Sequence, residues 1–463
     1  MKGISMFQFN LEEKKFNKVH FIGIGGVSMS GIAMLLKKNG FTVTGSDRSE
    51  STYLAHLREE GIDIWIGQTK ENIQDQDLFI FTDAILPDNE EYMAAVNTGK
   101  PVVSRGEFLG ALMRNYQRSI AVSGSHGKST TTSMLSKILV DAQADASILL
   151  GGILDDIDGN VFVGQSDILL TEACEFKGNI LHYYPQTVII LNIDEDHLDY
   201  YKDLNHIVET FIGYMKNLTE NSKAIINIDD PNTHPLMKHI RGQVISFGQH
   251  EDAMYRITNI TYNEDGFPRF DLVKGDMVLP LSLDILGDYN VYNAAAAAIA
   301  AFENGIDKEP VKTSLANYHS LHRRMETVGH YKGATIMTDY GHHPVEIKNT
   351  LSSLLKQKKT KIISVFQPHT YSRTKALLDD FADSFYDADE VIVTEIFAAR
   401  EKFDPTIKSE DLVEKLIENG VNAKYIGDFE TARDYIQEHV QNDDIVMTTG
   451  CGNPDELAHM IVE

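Results

Sequence analysis

The heptapeptide Gly124-Ser125-His126-Gly127-Lys128-Ser129-Thr130 sets two glycines, a lysine and three hydroxyls between the apolar run RSIAVS and a stretch with apolar residues at helical spacing. These residue types suit phosphate. Glycines let backbone N–H groups turn onto an anion, and the helix that follows offers its N-terminus to the same charge. Lys128 would neutralise the β- and γ-phosphates of a nucleotide, and the Ser129 hydroxyl would sit on Mg²⁺. The loop is shorter than the usual G-x-x-x-x-G-K-[ST] pattern, because Val122 stands where the first glycine belongs and Gly124 takes over its part. The plainer reading is a Ser/Thr-capped helix with an exposed lysine. The order strand, loop, helix favours the cradle.

A second glycine run lies near the start. Gly23, Gly25 and Gly26 follow a short apolar stretch, Ser28 stands at the third small position, and Asp47 ends the next apolar stretch at the distance expected for a ribose hydroxyl. By itself this pattern suits an oxidoreductase using a nicotinamide or flavin, or simply a tight turn under a packed helix. Two such loops in one chain suit a nucleotide-linked substrate on one and ATP on the other.

Carboxylates and histidines add to this. Glu172 and Glu175 lie at the end of DILLTEA, and Asp194, Glu195, Asp196, His197 and Asp199 follow TVIILN. Oxygen-rich groups suit Mg²⁺. Glu195 and Asp199 read as a solvated turn, whereas Glu172 and His197 are expected at one metal. Cys-x-x-Cys and His-Glu-x-x-His are absent, which disfavours zinc. Further on, Arg323, Arg324, Asp339, Tyr340, His342, His343, His369 and Arg373 offer cations and hydrogen-bond donors able to meet phosphate or carboxylate. Cys174 reads as a packing residue.

The elements that must position these groups are alternating apolar strands and helices. KVHFI, a helix and TVTGSD form a βαβ unit, and DLFIFTDAI and KPVVSR read as further strands. RSIAVSG, DILLTEA, TVIILNID and KAIINID suit a mostly parallel sheet buried on both faces. A more polar strand-like stretch, 243–285, precedes the alanine-rich helix NAAAAAIAAF. ATIMTDY, KIISVF, EVIVTEIF and DDIVMTTG each end in a polar or glycine-rich loop, where α/β sheets place ligands. At 463 residues the chain is expected to hold two to four domains. The formal net charge of −26 disfavours nucleic acid and anionic membrane as partners. Two distant cysteines suit a reducing, cytoplasmic location, and no run approaches the roughly 18 apolar residues of a membrane span.

The ordered set HFIGIGGVSMSGIA, GSHGKSTTT, TEACE, NIDEDHLDYY, GDYNVYNAAAA, HRRME, DYGHHPVEI and QPHTYSRT resembles the Mur ligases, from Val19 to about Gly452. The resemblance implies an α/β chain of three domains. Residues 1–118 would be a Rossmann-like domain for a UDP-sugar, 119–320 a central P-loop ATPase-type domain, and 321–463 a Rossmann-like domain for the amino acid. It also implies ATP-dependent activation of a carboxylate as an acyl phosphate, captured by an amine. In the branch matched best, UDP-N-acetylmuramic acid supplies the carboxylate and L-alanine the amine, and the enzyme is a monomer or homodimer.

Carried over by motif, Gly23, Gly25, Gly26, Ser28, Ser46 and Asp47 hold the UDP-sugar. Gly124 to Thr130 hold ATP, together with Asn290 and Asn293 at the adenine and Arg324 and Asp339. Ser129 and Glu172 bind one Mg²⁺, and His197 stands at a second metal and the acceptor carboxylate. Tyr340, His343, His369 and Arg373 line the amino-acid side, and Lys128, Glu172, His197 and Arg373 are the catalytic set. Serines replace the family's usual threonines at 125 and 129, EACEFK replaces an aspartate-rich stretch, and Thr370 stands where many relatives have arginine. Three other activities remain open on the residues alone: a recycling ligase that adds a whole tripeptide, an NAD-dependent oxidoreductase, and a non-catalytic nucleotide switch.

Overall fold

The computed structural model describes residues 6–197, 200–357, 359–399 and 401–463; Asp199, read above as part of a solvated turn, lies outside them. Two compact units divide the chain. One comprises 1–258, 272–279 and 292–315, the other 259–271, 280–291 and 316–463.

The first unit opens with β1 (Lys18–Ile22), β2 (Thr42–Asp47), β3 (Asp63–Ile66), β4 (Leu78–Phe81) and β5 (Val102–Ser104). They form a parallel sheet in the order β3-β2-β1-β4-β5. The order reverses between β1 and β4, so the loops after these two strands flank the crevice where such sheets take ligands. DLFIFTDAI does not stay extended to its end. β4 stops at Phe81, and Ile85 N–H bonds to Thr82 O (3.0 Å) to close a turn.

A larger sheet follows, built from β6 (Arg118–Ser123), β7 (Ser147–Leu154), β8 (Gly159–Phe162), β9 (Ile168–Glu172), β10 (Thr187–Ile190), β11 (Lys223–Asn227), β12 (Gln243–Gly248), β13 (Tyr255–Tyr262), β14 (Pro268–Lys274) and β15 (Met277–Ser282). Its order is β15-β14-β13-β12-β11-β10-β6-β9-β7-β8. β6 lies between β9 and β10, parallel to both, with Val122 level with Glu172 and Ser123 level with Ile190. Three loops therefore leave the same edge side by side: 124–127, 173–175 and 191–197. The strands behind them carry apolar centres, Ile120–Val122, Ile168–Leu170 and Val188–Ile190. Thr187–Ile190 is buried at every residue, as is Ser119–Ser123, because helices cover both faces of a parallel sheet.

The second unit holds β16 (Glu326–Tyr331), β17 (Ala334–Asp339), β18 (Ile362–Phe366), β19 (Glu390–Val393), β20 (Ala423–Tyr425) and β21 (Ile445–Thr449), in the order β16-β17-β21-β18-β19-β20. All neighbours are parallel except β16 and β17. Its polar loops thus also gather at one edge. The alanine-rich helix Asp288–Glu303 buries Ala294 to Ala298 completely. Among the described residues no helix is long and apolar enough to cross a membrane.

Candidate active site

The 124–127 loop needs its glycines. Gly124 has φ +137°, and a Cβ there would lie 3.1 Å from the Asn192 backbone. Gly127 has φ +83° and caps the helix Lys128–Asp141; a Cβ there would lie 2.5 Å from Asn293 Oδ1. Both backbones sit in the left-handed region that favours glycine. Asn192, marked by no local motif of its own, braces the turn. Its Oδ1 accepts from His126 N–H (2.8 Å), its Nδ2 donates to His126 O (3.1 Å), and its carbonyl accepts from Ser125 N–H (3.1 Å). Asp194 N–H donates to the Ser125 hydroxyl (2.8 Å), and His126 Nε2 lies 3.4 Å from Asp194 Oδ2.

Lys128 turns back under the loop. Its ammonium donates to Gly124 O (2.5 Å) and Ser125 O (3.0 Å) and lies 3.2 Å from the buried Glu175 carboxylate. Burial alone would favour the neutral amine, but Glu175, with smaller help from Asp196, outweighs it and holds this lysine above its ordinary pKa. Cys174 beside it is pushed up to about 11 by burial and by Glu175. The thiol is therefore protonated near neutral pH.

The carboxylates fall into two groups. Glu172, the last residue of β9, accepts from the Ser129 hydroxyl (3.0 Å) and from Gly151 N–H (2.6 Å). Glu175, Asp196 and His197 bring one ligand atom each within 4.8 Å of one another, as a metal ion would require. Residue types alone suggest Glu172 and His197 at one ion, whereas the family resemblance implies Ser129 with Glu172 at one and His197 at a second; the structure groups Glu172 with Ser129, and His197 with Glu175 and Asp196. Hard carboxylate and hydroxyl oxygens with one imidazole suit a divalent cation such as Mg²⁺.

The other glycine loop is held by a backbone carbonyl and a carboxylate. Gly23 and Ile24 N–H both bond to Ser46 O (2.9 Å each), and Gly25 N–H bonds to Asp47 Oδ2 (2.8 Å). Asp47, expected to face a ribose hydroxyl, spends one oxygen on Gly25 and the other on Arg48 N–H (2.7 Å). Ser46 is fully buried, its hydroxyl on Glu91 (2.5 Å). Gly26 caps the helix Val27–Lys38. Ser28 meets a residue that no local signal pointed to: Arg105 Nη1, 3.4 Å from its hydroxyl. The same guanidinium lies 3.6 Å from Asp83 Oδ2, and Asp83 in turn takes Asn179 Nδ2 (2.8 Å) and, through its carbonyl, Lys177 Nζ (2.8 Å). Arg105 thus stands at the glycine loop with its other side toward the segment that carries Glu175.

Within the second unit, Asp339 ends β17 and accepts from Met325 N–H (2.9 Å) and Gly341 N–H (2.8 Å). Burial raises its pKa, opposed by Arg324. The Arg323 and Arg324 guanidinium groups both lie over the Tyr340 ring, at 4.9 and 5.1 Å from its centre. Arg323 also donates to Gly450 O (3.1 Å) and Gly452 O (2.7 Å). His343 caps the helix Pro344–Leu354. Tyr340 and His342 have ring centres 5.8 Å apart, and His342 and His369 6.2 Å. Thr370 opens the short helix carrying Arg373 with φ +65°, a conformation that β-branched residues rarely adopt. Cys451, also unassigned by the sequence, is pushed up to about 12 by burial, opposed by Arg373. Asn290 is buried and donates to Leu286 O (2.6 Å).

Comparison with known proteins agrees with this layout. Residues 18–117 match the family model "Mur ligase family, catalytic domain", 122–301 "Mur ligase middle domain" and 323–452 "Mur ligase, glutamate ligase domain". A UDP-N-acetylmuramate–L-alanine ligase of Alkaliphilus metalliredigens is 42% identical over 99% of each chain. One of Acetivibrio thermocellus is 40% identical over 98% of this chain and 97% of its own. Among solved structures, the UDP-N-acetylmuramate-alanine ligase of Thermotoga maritima superposes with a TM-score of 0.81 at 27% identity, covering 96% of this chain and 98% of its own. A murein peptide ligase of Psychrobacter arcticus gives 0.72 at 22% identity with the same coverage, which speaks to the fold.

Proposed function

The chain belongs to the Mur ligase family of ATP-dependent amide-forming ligases, and from that premise we propose that it joins L-alanine to the lactyl carboxylate of UDP-N-acetylmuramic acid, a step of peptidoglycan precursor synthesis. One observation carries the choice of amine: relatives matched along nearly the whole chain are named for L-alanine. The recycling-ligase alternative is represented by structural neighbours at 22% and 24% identity, which speak to the fold.

In this reading the γ-phosphoryl group leaves ADP and bonds to a carboxylate oxygen, giving an acyl phosphate. The alanine amine then adds to the acyl carbon, loses its proton, and the adduct expels inorganic phosphate to leave the amide. No protein nucleophile is needed; positioning and charge compensation supply the rate. The 124–130 loop holds the triphosphate by its N–H groups, and Lys128 meets the charge that develops on the γ-phosphate. Ser129 and Glu172 would hold one Mg²⁺, and His197, with Glu175 and Asp196 beside it, a second. When bound, the metal would neutralise phosphate charge. Gly23, Gly25, Gly26 and Ser28 hold the UDP-sugar, with Ser46 and Asp47 shaping their loop. We assign Asn290, Asn293, Arg324 and Asp339 to the nucleotide, and Tyr340, His343, His369 and Arg373 to the amino acid. The three regions 1–118, 119–320 and 321–463 take the three substrates in turn, in a cytoplasmic monomer or homodimer.

The test is phosphate release from ATP, Mg²⁺ and UDP-N-acetylmuramic acid with single amines. Release that requires L-alanine is expected. Release with a tripeptide only would transfer the protein to recycling, and none with any amine would end the ligase reading.

A further inference from the structure

Glu91 is a buried carboxylate outside the chemistry described above. It lies in the first turn of the helix Glu90–Asn97, between β4 and β5, and is fully buried together with His20 and Ser46. Three donors converge on it. The Ser46 hydroxyl bonds to Oε2 (2.5 Å), while Asn72 Nδ2 (3.0 Å) and His20 Nε2 (2.9 Å) share Oε1. The other His20 nitrogen meets Thr44 Oγ1 (2.8 Å). Carboxylates are almost never fully buried unless paired, and apolar side chains of similar volume often serve a core as well or better.

What sets this network apart is where it leads. The Ser46 carbonyl is the acceptor for Gly23 and Ile24 N–H, and Asp47 is the acceptor for Gly25 N–H. On its other side, Asn72 also donates to Gly67 O (2.9 Å), and Gly67 N–H donates to Asp47 O (2.8 Å). Two hydrogen-bonded paths thus run from Glu91 to the end of β2, one through Ser46 and one through Asn72 and Gly67. We propose that Glu91 is a positioning residue for the sugar nucleotide: by clamping the end of β2 it fixes the Gly23–Gly26 turn and with it the place of Ser28 at the start of the helix Val27–Lys38. This rests on the reading that the loop holds the UDP-sugar.

The test is calorimetric binding of UDP-N-acetylmuramic acid and, separately, of a non-hydrolysable ATP analogue with Mg²⁺, together with Tm, for Glu91→Ala, Glu91→Gln and Gly25→Ala. Glu91→Ala is expected to weaken the sugar nucleotide about tenfold, the scale of lost hydrogen bonds to a charged group, while the ATP analogue stays within about twofold. Glu91→Gln, which keeps the size and one acceptor oxygen, should recover most of that loss. Equal weakening of both ligands, or a lowered Tm with sugar-nucleotide affinity unchanged, would overturn the proposal. Gly25→Ala separates the two readings, because a Cβ there would lie 2.9 Å from Asp47 Oδ2. If it leaves sugar-nucleotide binding intact, the loop assignment itself falls; if it weakens binding and Glu91→Ala does not, only the role of Glu91 falls. Should Glu91→Ala fail to fold, Ser46→Ala decides. It removes the hydroxyl donor but keeps the carbonyl, and a loss of about threefold confined to the sugar nucleotide is expected.

Discussion

Gly23 and Gly127 each follow a parallel strand, take nearly the same left-handed backbone (φ +85° and +83°), and leave no room for a methyl group: a Cβ would come within 2.5 Å of Thr82 Cγ2 at one and of Asn293 Oδ1 at the other. Their surroundings differ. The Gly23 loop hangs on the Ser46 carbonyl and the Asp47 carboxylate, and carries no lysine. The Gly127 loop hangs on the Asn192 amide and has Lys128, Glu175 and the Ser129–Glu172 pair around it. A loop that only holds an anion needs N–H groups and a firm scaffold. A loop at which a phosphoryl group changes partners also needs charges that compensate those moving during transfer. The contrast fits the proposed division, with holding at the first loop and transfer at the second.

The sharpest way to break that division is Lys128→Ala. It is expected to lower kcat by roughly 10³, the scale of losing one transition-state donor. Calorimetry should show UDP-N-acetylmuramic acid still binding within about twofold of wild type. Loss of both together would mean that the two loops do not act separately. Paired alanines probe the division next. Each puts a non-glycine residue into a left-handed backbone at a cost of about 1–3 kcal/mol. Gly127→Ala should raise the KM for ATP about tenfold and spare that for the sugar nucleotide, and Gly23→Ala should do the reverse. Initial-rate kinetics with each substrate varied in turn decides; the same pattern from both variants would erase the distinction.

How far the sequence foretold these loops depends on whether a residue works through its neighbours in the chain or across the fold. Gly124, Gly127, Lys128 and Ser129 announce themselves, because a tight turn into a helix is a local event. The apolar runs of β4, β6, β10 and β18 were equally plain. β3 and β20 were not: both are sheet edges, half-exposed and only four and three residues long. Glu90 and Glu91 look alike in the sequence and share one helical turn, yet Glu90 is exposed while Glu91 is buried under three donors. Arg105 and Asn192 gain their meaning only when β5 and β10 are laid beside β4 and β6. Asp47 carries a part that its spacing does not reveal: it fits a familiar ribose-binding pattern, and its carboxylate also braces the loop backbone.

A smaller effect tests the carboxylates of the transfer loop. Glu172→Gln keeps the side chain's size but removes the charge that faces the Ser129 hydroxyl, and should raise the Mg²⁺ concentration for half-maximal activity about tenfold. Mn²⁺ binding followed by electron paramagnetic resonance, without turnover, should weaken alongside it. A change in kcat with metal affinity unmoved would take Glu172 out of the metal site. The smallest change belongs to Cys174, which sits beside Lys128 and Glu175 but has no step to perform. Cys174→Ala should leave ligation within about twofold of wild type. Its pH behaviour gives an independent check. Burial and Glu175 raise the folded thiol from 9.0 to about 11. Below the ordinary thiol range both folded and unfolded chains carry the neutral form; between that range and the folded value only the unfolded chain ionises, so this thiol's contribution to stability is lost as pH rises through the interval. Alkylation by iodoacetamide, mapped to Cys174 by mass spectrometry, should therefore run at least about tenfold slower at pH 8.5 in the native protein than in urea, and keep climbing with pH well past the ordinary thiol range. Labelling that levels off within the ordinary thiol range would mean an accessible, activated sulfur beside the transfer loop, and the division between a holding loop and a loop that works by charge alone would have to admit a nucleophile.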